Sequence, residues 1–181
     1  QRFPKPCARG SSPFGRTILV VNPFMRENEY MRQALQLAQV AFAAGEIPVG
    51  AVAVWQDGII ARAHNEKERR QDATAHAELL VLQRAAQYLK RWRLQDVTIY
   101  STLEPCPMCA GAMINARIQR LVYGSRDQKA GAAGSVIDLV RYPGLNHQVE
   151  VIPDVLGEEC TRLMKQFFAR LRDTQLHGEK K

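Results

Sequence analysis

Two short stretches of the chain carry residue types that can bind one metal ion together. Cys106 and Cys109 are three positions apart, and Pro105 precedes the helix that we expect to carry both thiols. A thiol near a helix N-terminus loses its proton more easily than a free cysteine. His76 lies well upstream and would add a nitrogen ligand. One nitrogen and two sulfurs suit zinc, and three protein ligands leave a fourth tetrahedral position for water.

Glu78 follows His76 by two residues and is the candidate for handling the protons of that water. Zinc lowers the pKa of a bound water from about 15.7 toward about 7. A carboxylate beside it can take the proton, protonate a ring nitrogen and then protonate a departing amine. Residues two apart on an ideal helix point in roughly opposite directions. Both side chains therefore serve one site only if that site lies at the tip of the helix, which we assume.

Two other interpretations of the cysteine pair remain open. A structural zinc site needs a fourth protein ligand, and a thioredoxin-like redox pair should lie near a βαβ unit. The spare ligands are Cys7, Cys160, His64 and His147, and none belongs to a second paired motif. A redox pair would leave His76 and Glu78 without a role. We therefore favour the three-ligand site.

The composition indicates one domain in a reducing compartment. A chain of 181 residues can bury a full core without disulfides, and four cysteines do not form a disulfide framework. No apolar run approaches the ~20 residues that a membrane span needs. The net charge of +7 comes from the two ends of the chain, residues 1–24 and 165–181. Global charge is therefore weak evidence for nucleic-acid binding, and local patches must carry that case.

Residues 1–24 are predicted to be a flexible N-terminal arm, and residues 25–181 to be the folded domain. The arm holds four prolines, four basic residues and no acid. Its Arg and Ser content faintly resembles an organelle transit peptide, but no amphipathic helical pattern is visible. We favour a cytoplasmic protein, with an organelle-targeted precursor as the open alternative.

Hydrophobic periodicity predicts strands that alternate with helices, which indicates an α/β three-layer sandwich (α/β/α) with a mixed five-stranded sheet. Both metal segments follow strands, where ligand sites on α/β sheets usually lie. Thr74 is the predicted N-cap of the second helix, and residues 65–73 are predicted to be a loop. The predicted strands are 49–55, 59–64, 97–102, 120–124 and 149–152, and the predicted helices are 26–45, 74–89, 106–116, 136–141 and 156–171.

The wider motifs resemble those of the zinc-dependent nucleobase deaminases, whose signature is well known. Within that cytidine-deaminase-like superfamily, the chain looks like a bacterial-type tRNA-specific adenosine deaminase over about residues 27–172. The matching segments are 45–51, 64–65, 74–78, 102–112, 126–127, 131–135, 143–147 and 167–168. So many spaced matches are far more specific than the metal residues alone.

This resemblance implies a cytidine-deaminase-like fold and a homodimer that converts the wobble adenosine of a tRNA anticodon loop to inosine. It implies one zinc per chain, held by His76, Cys106 and Cys109, with Glu78 as the proton shuttle. By the same resemblance, Asn65 hydrogen-bonds the purine, the backbone N–H of Ala77 lies against the reacting edge and Asp127 contacts ribose. The RNA-binding end of the domain would include Phe167, Phe168 and Arg172.

Simpler interpretations of these residues stay open. Asn65 and Asp127 could be turn residues at strand ends. At least one of the two phenylalanines should be a core residue, because neighbours on a helix point about 100° apart. A deaminase of a free base such as guanine or cytosine is the first alternative function. A non-catalytic RNA-binding subunit is the second, although such a protein would have no need of Glu78.

Overall fold

The computed structural model describes residues 23–178, which form one sheet with helices on both faces. The predicted arm lies outside the described residues except for residues 23 and 24, which begin the first helix. Cys7 also lies outside them. The helices are α1 (Pro23–Ala43), α2 (Lys67–Arg70), α3 (Ala77–Leu89), α4 (Pro107–Ala116) and α5 (Gly157–Gly178), and the strands are β1 (Gly50–Trp55), β2 (Gly58–His64), β3 (Thr98–Leu103), β4 (Arg120–Ser125) and β5 (Glu150–Ile152).

The sheet is mixed and has the strand order β2-β1-β3-β4-β5. β1 pairs antiparallel with β2 and β3, whereas β3, β4 and β5 run parallel. β1 and β2 form a hairpin whose two turn residues, Gln56 and Asp57, have φ of 49° and 62°. Two left-handed residues match the twist of the flanking strands. The predicted five-stranded mixed sheet is confirmed.

Alternate residues of the central strands divide the core into two layers, one on each face of the sheet. Ala51 and Ala53 of β1 pack in the cluster that contains α3 and α4 residues. Val52 and Val54 pack in the other cluster, with residues of α1 and α5. A Cβ added to Gly50 would lie 2.1 Å from the backbone oxygen of Ala34 in α1, so only glycine allows that approach. The three-layer α/β/α prediction is confirmed.

The structure corrects the local prediction for residues 136–141, which form a bend, an isolated bridge and a turn rather than a helix. Val136 and Ile137 are 53% and 47% exposed, so their apolar spacing does not mark a buried helical face. The segment instead folds back on the glycine-rich loop before it. Asp138 forms a β-bridge with Ala133, and the N–H of Leu139 donates to Ala132.

The start of α3 was also predicted two residues too early. His76, not Thr74, is the N-cap. Thr74 belongs to an Asx turn, since its N–H and hydroxyl both donate to Asp72 Oδ1. The segment predicted to be a loop also contains the short helix α2. No helix among residues 23–178 combines the length and the apolar character that crossing a bilayer requires.

Candidate metal centre

The site residues converge because four strand ends meet at one edge of the sheet. Gly50, the first residue of β1, pairs with His64, the last residue of β2. Ser101, near the end of β3, pairs with Ala51. β3 and β4 are parallel, so the segment that follows each strand leaves the sheet at this same edge. The sheet topology therefore places the chain after β2, β3 and β4 around one location.

Two helix N-termini face each other at this edge. His76 is the N-cap of α3 and has an extended backbone (φ −76°, ψ 146°), so it is not constrained to the helical side-chain directions. Cys106 is the N-cap of α4, Pro107 is its first residue, and Cys109 follows in the first turn. Glu78 lies in the first turn of α3. The site therefore lies at the helix tip, as the sequence argument required.

The three candidate ligand atoms form one compact group. His76 Nδ1 lies 3.7 Å from Cys106 Sγ and 3.6 Å from Cys109 Sγ, and all three atoms lie within 4.8 Å of one another. Within the described residues, no fourth histidine, cysteine or carboxylate atom joins the group. These three residues can therefore hold a metal ion and leave part of its coordination sphere open.

The other candidate ligands inside the described range have different surroundings. Cys160 is buried in the core layer on the α1 and α5 face of the sheet. His64 Nδ1 lies 2.9 Å from the backbone oxygen of Asn65, and His147 Nε2 lies 2.8 Å from that of Ile118. A four-ligand structural site drawn from these residues is therefore not supported.

The pKa values of the two cysteines shift in opposite directions. The hydrogen bond from Cys109 lowers the pKa of Cys106 to about 4, and the contact with His76 also acts to lower it. The same hydrogen bond and the burial of the thiol raise the pKa of Cys109. Cys106 is therefore the thiolate of the pair at neutral pH. A bound metal would bring both sulfurs to the thiolate form.

Glu78 is a buried carboxyl beside the candidate metal ligands. Its side chain is 4% exposed, and its Oε1 accepts a long hydrogen bond from the Ser101 hydroxyl at 3.3 Å. Burial raises the pKa of Glu78 to about 6. A carboxyl with a pKa close to neutral can both accept and donate a proton at physiological pH. Such a group is suited to general acid–base chemistry.

Asn65 and Ala77 also lie at the edge that carries the candidate metal group. Asn65 is 5% exposed, its N–H donates to Val49, and its side-chain Nδ2 donates to Glu46 Oε2 at 3.0 Å. Ala77 is fully buried as the first residue of α3. The first N–H groups of a helix have no partner within the helix. The Ala77 N–H therefore makes no hydrogen bond within α3 and lies at the helix tip.

Sequence reasoning missed two buried carboxylates that hydrogen-bond to segments around this site. They are Glu46 and Glu104, which are 2% and 1% exposed. Glu46 accepts hydrogen bonds from the backbone of α2 as well as from Asn65. Each acid adjoins a buried strand, Glu46 before β1 and Glu104 after β3. An acid that is buried almost always has a partner. The position of each glutamate next to an apolar run is therefore the sequence signal that could have identified both.

Glu104 fixes the glycine-rich loop of residues 131–135 against the segment that carries Cys106. Its carboxylate accepts from the N–H groups of Asp127, Ala133 and Ser135 and from the Ser135 hydroxyl. Burial acts to raise the pKa of Glu104, but these hydrogen bonds outweigh it and hold the pKa below the usual value. A Cβ on Gly131 would lie 2.5 Å from the Glu104 carboxyl carbon. Close packing therefore requires glycine there.

The predicted RNA-side residues separate into two environments. Asp127, Phe168 and Arg172 line one cavity of about 810 Å³, together with Lys129 and Lys165. We refer to this cavity, which runs along α5 from the β4 end of the sheet, as the α5 groove. Asp127 also closes a turn, since its Oδ1 accepts from the N–H groups of Lys129 and Ala130.

Phe167 does not line the α5 groove. It is 5% exposed, and its ring packs edge-on against Phe42 of α1 with centroids 5.7 Å apart. Phe168 is 40% exposed. Phe167 is therefore the core residue that the sequence argument expected in this pair, and its contact with RNA stays a prediction.

Comparisons with known proteins show that the chain is similar to deaminases. The MafB19-like deaminase family matches residues 25–172. A tRNA-specific adenosine deaminase from Bacillus subtilis is 47% identical over 143 residues, which cover 79% of this chain and 89% of the relative. One from Haemophilus influenzae is 45% identical over 148 residues, which cover 81% and 86%. A solved structure from a study of A-to-I editing by tRNA:A34 deaminases aligns with a TM-score of 0.72 and 38% identity, covering 75% of this chain and 98% of the other.

Proposed function

Since the chain matches the MafB19-like deaminase family and belongs with the tRNA-specific adenosine deaminases, we propose that it converts adenosine to inosine at the wobble position of a tRNA anticodon loop. The reaction consumes one water and releases one ammonia. The observation that carries the proposal is the buried carboxyl of Glu78 beside an incomplete set of metal ligands. A structural metal site would have no use for such a group.

The proposed metal is zinc, one ion per chain, held by His76, Cys106 and Cys109. Zn–S bonds of about 2.3 Å and a Zn–N bond of about 2.0 Å at a tetrahedral angle require an N–S separation of about 3.5 Å. The separations of 3.7 and 3.6 Å fit that requirement. When bound, zinc supplies a Lewis acid with one open position that makes water a nucleophile at neutral pH.

Glu78 is the proposed proton shuttle. Its carboxylate takes one proton from the attacking water and gives it to a purine ring nitrogen. It then takes the second proton from the hydroxyl group that has been added to the purine carbon and gives it to the amine, which leaves as ammonia. The raised pKa of Glu78, about 6, supports this role, because the group must hold and release protons near pH 7. Burial also excludes bulk water, which would compete for these transfers.

Asn65 and Ala77 are the proposed contacts to the purine, and Asp127 is the proposed contact to ribose. The side-chain amide of Asn65 and the first-turn N–H of Ala77 can offer hydrogen bonds at the edge of the sheet where Glu78 lies. Asp127 lies further out, on the wall of the α5 groove. This order of positions suits a nucleotide whose base enters the pocket while its sugar stays at the entrance.

The α5 groove is the proposed path of the anticodon loop beyond the reacting nucleotide. It combines the exposed ring of Phe168 with the cationic side chains of Lys129, Lys165 and Arg172, and it contains one acid, Asp127. Single-stranded nucleic acids bind to such surfaces through base stacking on aromatic rings and phosphate contacts to Lys and Arg. The excess of positive charge in the α5 groove thus supports an RNA substrate, whereas the net charge of the whole chain did not.

The protein is further proposed to be a homodimer and to be located in the cytoplasm. Between β4 and β5, four large apolar side chains are 38–57% exposed: Val136, Ile137, Tyr142 and Leu145. Exposed apolar side chains in one segment favour a protein contact. Sedimentation equilibrium should give twice the chain mass, and a monomer at assay concentration would contradict the dimer. The cytoplasmic location stays a prediction.

One experiment separates this function from its alternatives. The protein is offered an anticodon stem-loop with adenosine at the wobble position, the same stem-loop with guanosine there, and free adenosine, guanine and cytosine. We expect ammonia and inosine from the first substrate alone. Release of ammonia from free guanine or cytosine would instead support a base deaminase, and binding without turnover would support a non-catalytic RNA-binding subunit.

A further inference from the structure

We infer that Glu46 is a positioning residue that sets which hydrogen-bonding groups Asn65 presents to the substrate. The inference deepens the proposed function and rests on it, because it takes Asn65 to contact the purine. Glu46 is 2% exposed and lies before β1, outside the candidate metal group. Glu46 contacts a proposed substrate-binding residue through its hydrogen bond with the Asn65 side chain.

The backbone around Asn65 is already fixed by the hairpin. The N–H of Asn65 donates to Val49 at 2.9 Å, and the preceding residue, His64, pairs with Gly50 at the end of the β1–β2 ladder. What remains undetermined is the terminal torsion of the side chain. An asparagine amide fits the same space in two orientations, related by an exchange of its oxygen and nitrogen.

Glu46 decides between those two orientations. Its Oε1 accepts from the N–H of Arg69 at 2.7 Å, and its Oε2 accepts from the N–H of Glu68 at 3.1 Å and from Asn65 Nδ2 at 3.0 Å. A carboxylate that receives three N–H donors offers only acceptor atoms to its surroundings. The amide of Asn65 must therefore turn its NH₂ group toward Glu46. Its Oδ1 and its second N–H are fixed as a result.

The position of Glu46 is itself well determined. Its N–H donates to the backbone oxygen of Ala41 at 2.9 Å, directly after Gly45, the glycine with φ of +79° that follows the end of α1. Its two contacts to α2 tie the first turn of that helix to the same carboxylate. Glu46 thus joins three segments, the end of α1, the end of β2 and the start of α2, and Asn65 is held at the point where they meet.

The test is a double-mutant cycle on deamination of the anticodon stem-loop. Glu46→Gln keeps the shape but replaces one acceptor oxygen with an NH₂ group, which favours the reversed orientation of Asn65. We expect kcat/KM to fall by roughly tenfold or more in the Asn65 background, as for loss of a charge-assisted hydrogen bond. In the Asn65→Ala background, where there is no amide to orient, the same substitution should change kcat/KM by less than about twofold.

Glu66→Gln is the matched control. Glu66 is also a buried acid, 4% exposed, but it pairs with Arg69 and Arg70 of α2 instead of with Asn65. Its substitution should lower kcat/KM by the same factor in both backgrounds. Equal factors for Glu46→Gln in the two backgrounds, or no effect of Asn65→Ala alone, would overturn the inference. Absence of inosine from the wild-type protein would instead contradict the proposed function.

A stability measurement keeps the test decisive if Glu46→Gln lowers the yield of folded protein. Asn65→Asp places two carboxylates against each other and should lower the Tm, whereas Glu46→Gln with Asn65→Asp restores a donor–acceptor pair and should recover it. Activity should not recover, because the introduced carboxylate lacks an N–H for the substrate. Additive changes in Tm would overturn the inference without reference to catalysis.

Discussion

The metal centre and the α5 groove lie at the same edge of the sheet but differ in how their side chains are held. At the metal centre, Glu78 and Asn65 are at most 5% exposed, and each has a named partner. In the α5 groove, Phe168 is 40% exposed and Arg172 is exposed. The proposed chemistry thus depends on fixed, buried atoms, whereas the proposed RNA recognition depends on summed contacts at an exposed surface.

This difference predicts that substitutions at the metal centre act on turnover, whereas substitutions in the α5 groove act on RNA affinity. The largest expected effect is that of the metal. Purified protein should contain about one zinc per chain, and Cys109→Ser should lose both the zinc and at least about 10⁴-fold in deamination. Metal analysis and single-turnover assays measure this. Cys160→Ser is the control and should keep its zinc, since that thiol lies in the other core layer.

Glu78→Gln should have the next largest effect. It keeps the shape of the side chain but cannot accept a proton, so we expect about a thousandfold loss of turnover, within the range for general acid–base groups. Zinc content and stem-loop affinity should stay near those of the wild type. Near-normal inosine formation would remove Glu78 from the mechanism. It would also mean that turnover is no more sensitive to this substitution at the metal centre than to substitutions in the α5 groove.

The adjacent pair Phe167 and Phe168 sharpens the comparison within one turn of helix. Phe167→Ala should cost about 3–5 kcal/mol of unfolding free energy, because its ring is packed against Phe42. Phe168→Ala should leave that free energy nearly unchanged and weaken stem-loop binding by about 1–3 kcal/mol through lost stacking. Urea unfolding and a binding titration measure the two effects. The reverse assignment would contradict the placement of the groove.

Glu104→Gln should lower stability at neutral pH by about 1–3 kcal/mol, since Gln replaces a charged acceptor of several hydrogen bonds. The folded pKa of Glu104 lies below the unfolded value of about 4.3. The carboxylate therefore stabilises the fold above that unfolded pKa, and this stabilisation is lost as pH falls through the folded pKa. The variant should show a weaker loss of Tm in acid than the wild type. An unchanged acid profile would contradict the prediction.

The smallest expected effect is that of one groove cation. Lys165→Gln should weaken stem-loop binding a few-fold at low salt and reduce the slope of log affinity against log salt by roughly 0.7 to 0.9, the contribution of one phosphate contact. Turnover of bound substrate should stay the same. An unchanged slope would mean that the RNA does not contact Lys165. A change in turnover would contradict the prediction that the α5 groove affects RNA affinity alone.

The grouping of His76, Cys106 and Cys109 as candidate metal ligands could be predicted because metal binding depends on residue type and spacing, and the structure brings the three together. The role of Glu78 as the shuttle stays a prediction. Cys106 and Cys109 three residues apart after Pro105 already indicate one ion at a helix N-terminus. The apolar run in residues 49–55 likewise indicated a buried strand. The prediction of a helix at residues 136–141 was wrong because apolar spacing reports a buried face only where something covers it, and Val136 and Ile137 are exposed.

Residue types and their spacing in the sequence thus determined which atoms can bind a metal and which segments form strands and helices. The tertiary structure decided which side chains share a location and which are buried, as the contrast between Phe167 and Phe168 shows. Glu46 could acquire a candidate role only after β2 returned antiparallel to β1 and brought Asn65 to it. The physical reason is that burial and hydrogen-bond partners depend on contacts between segments distant in sequence, which local patterns do not encode.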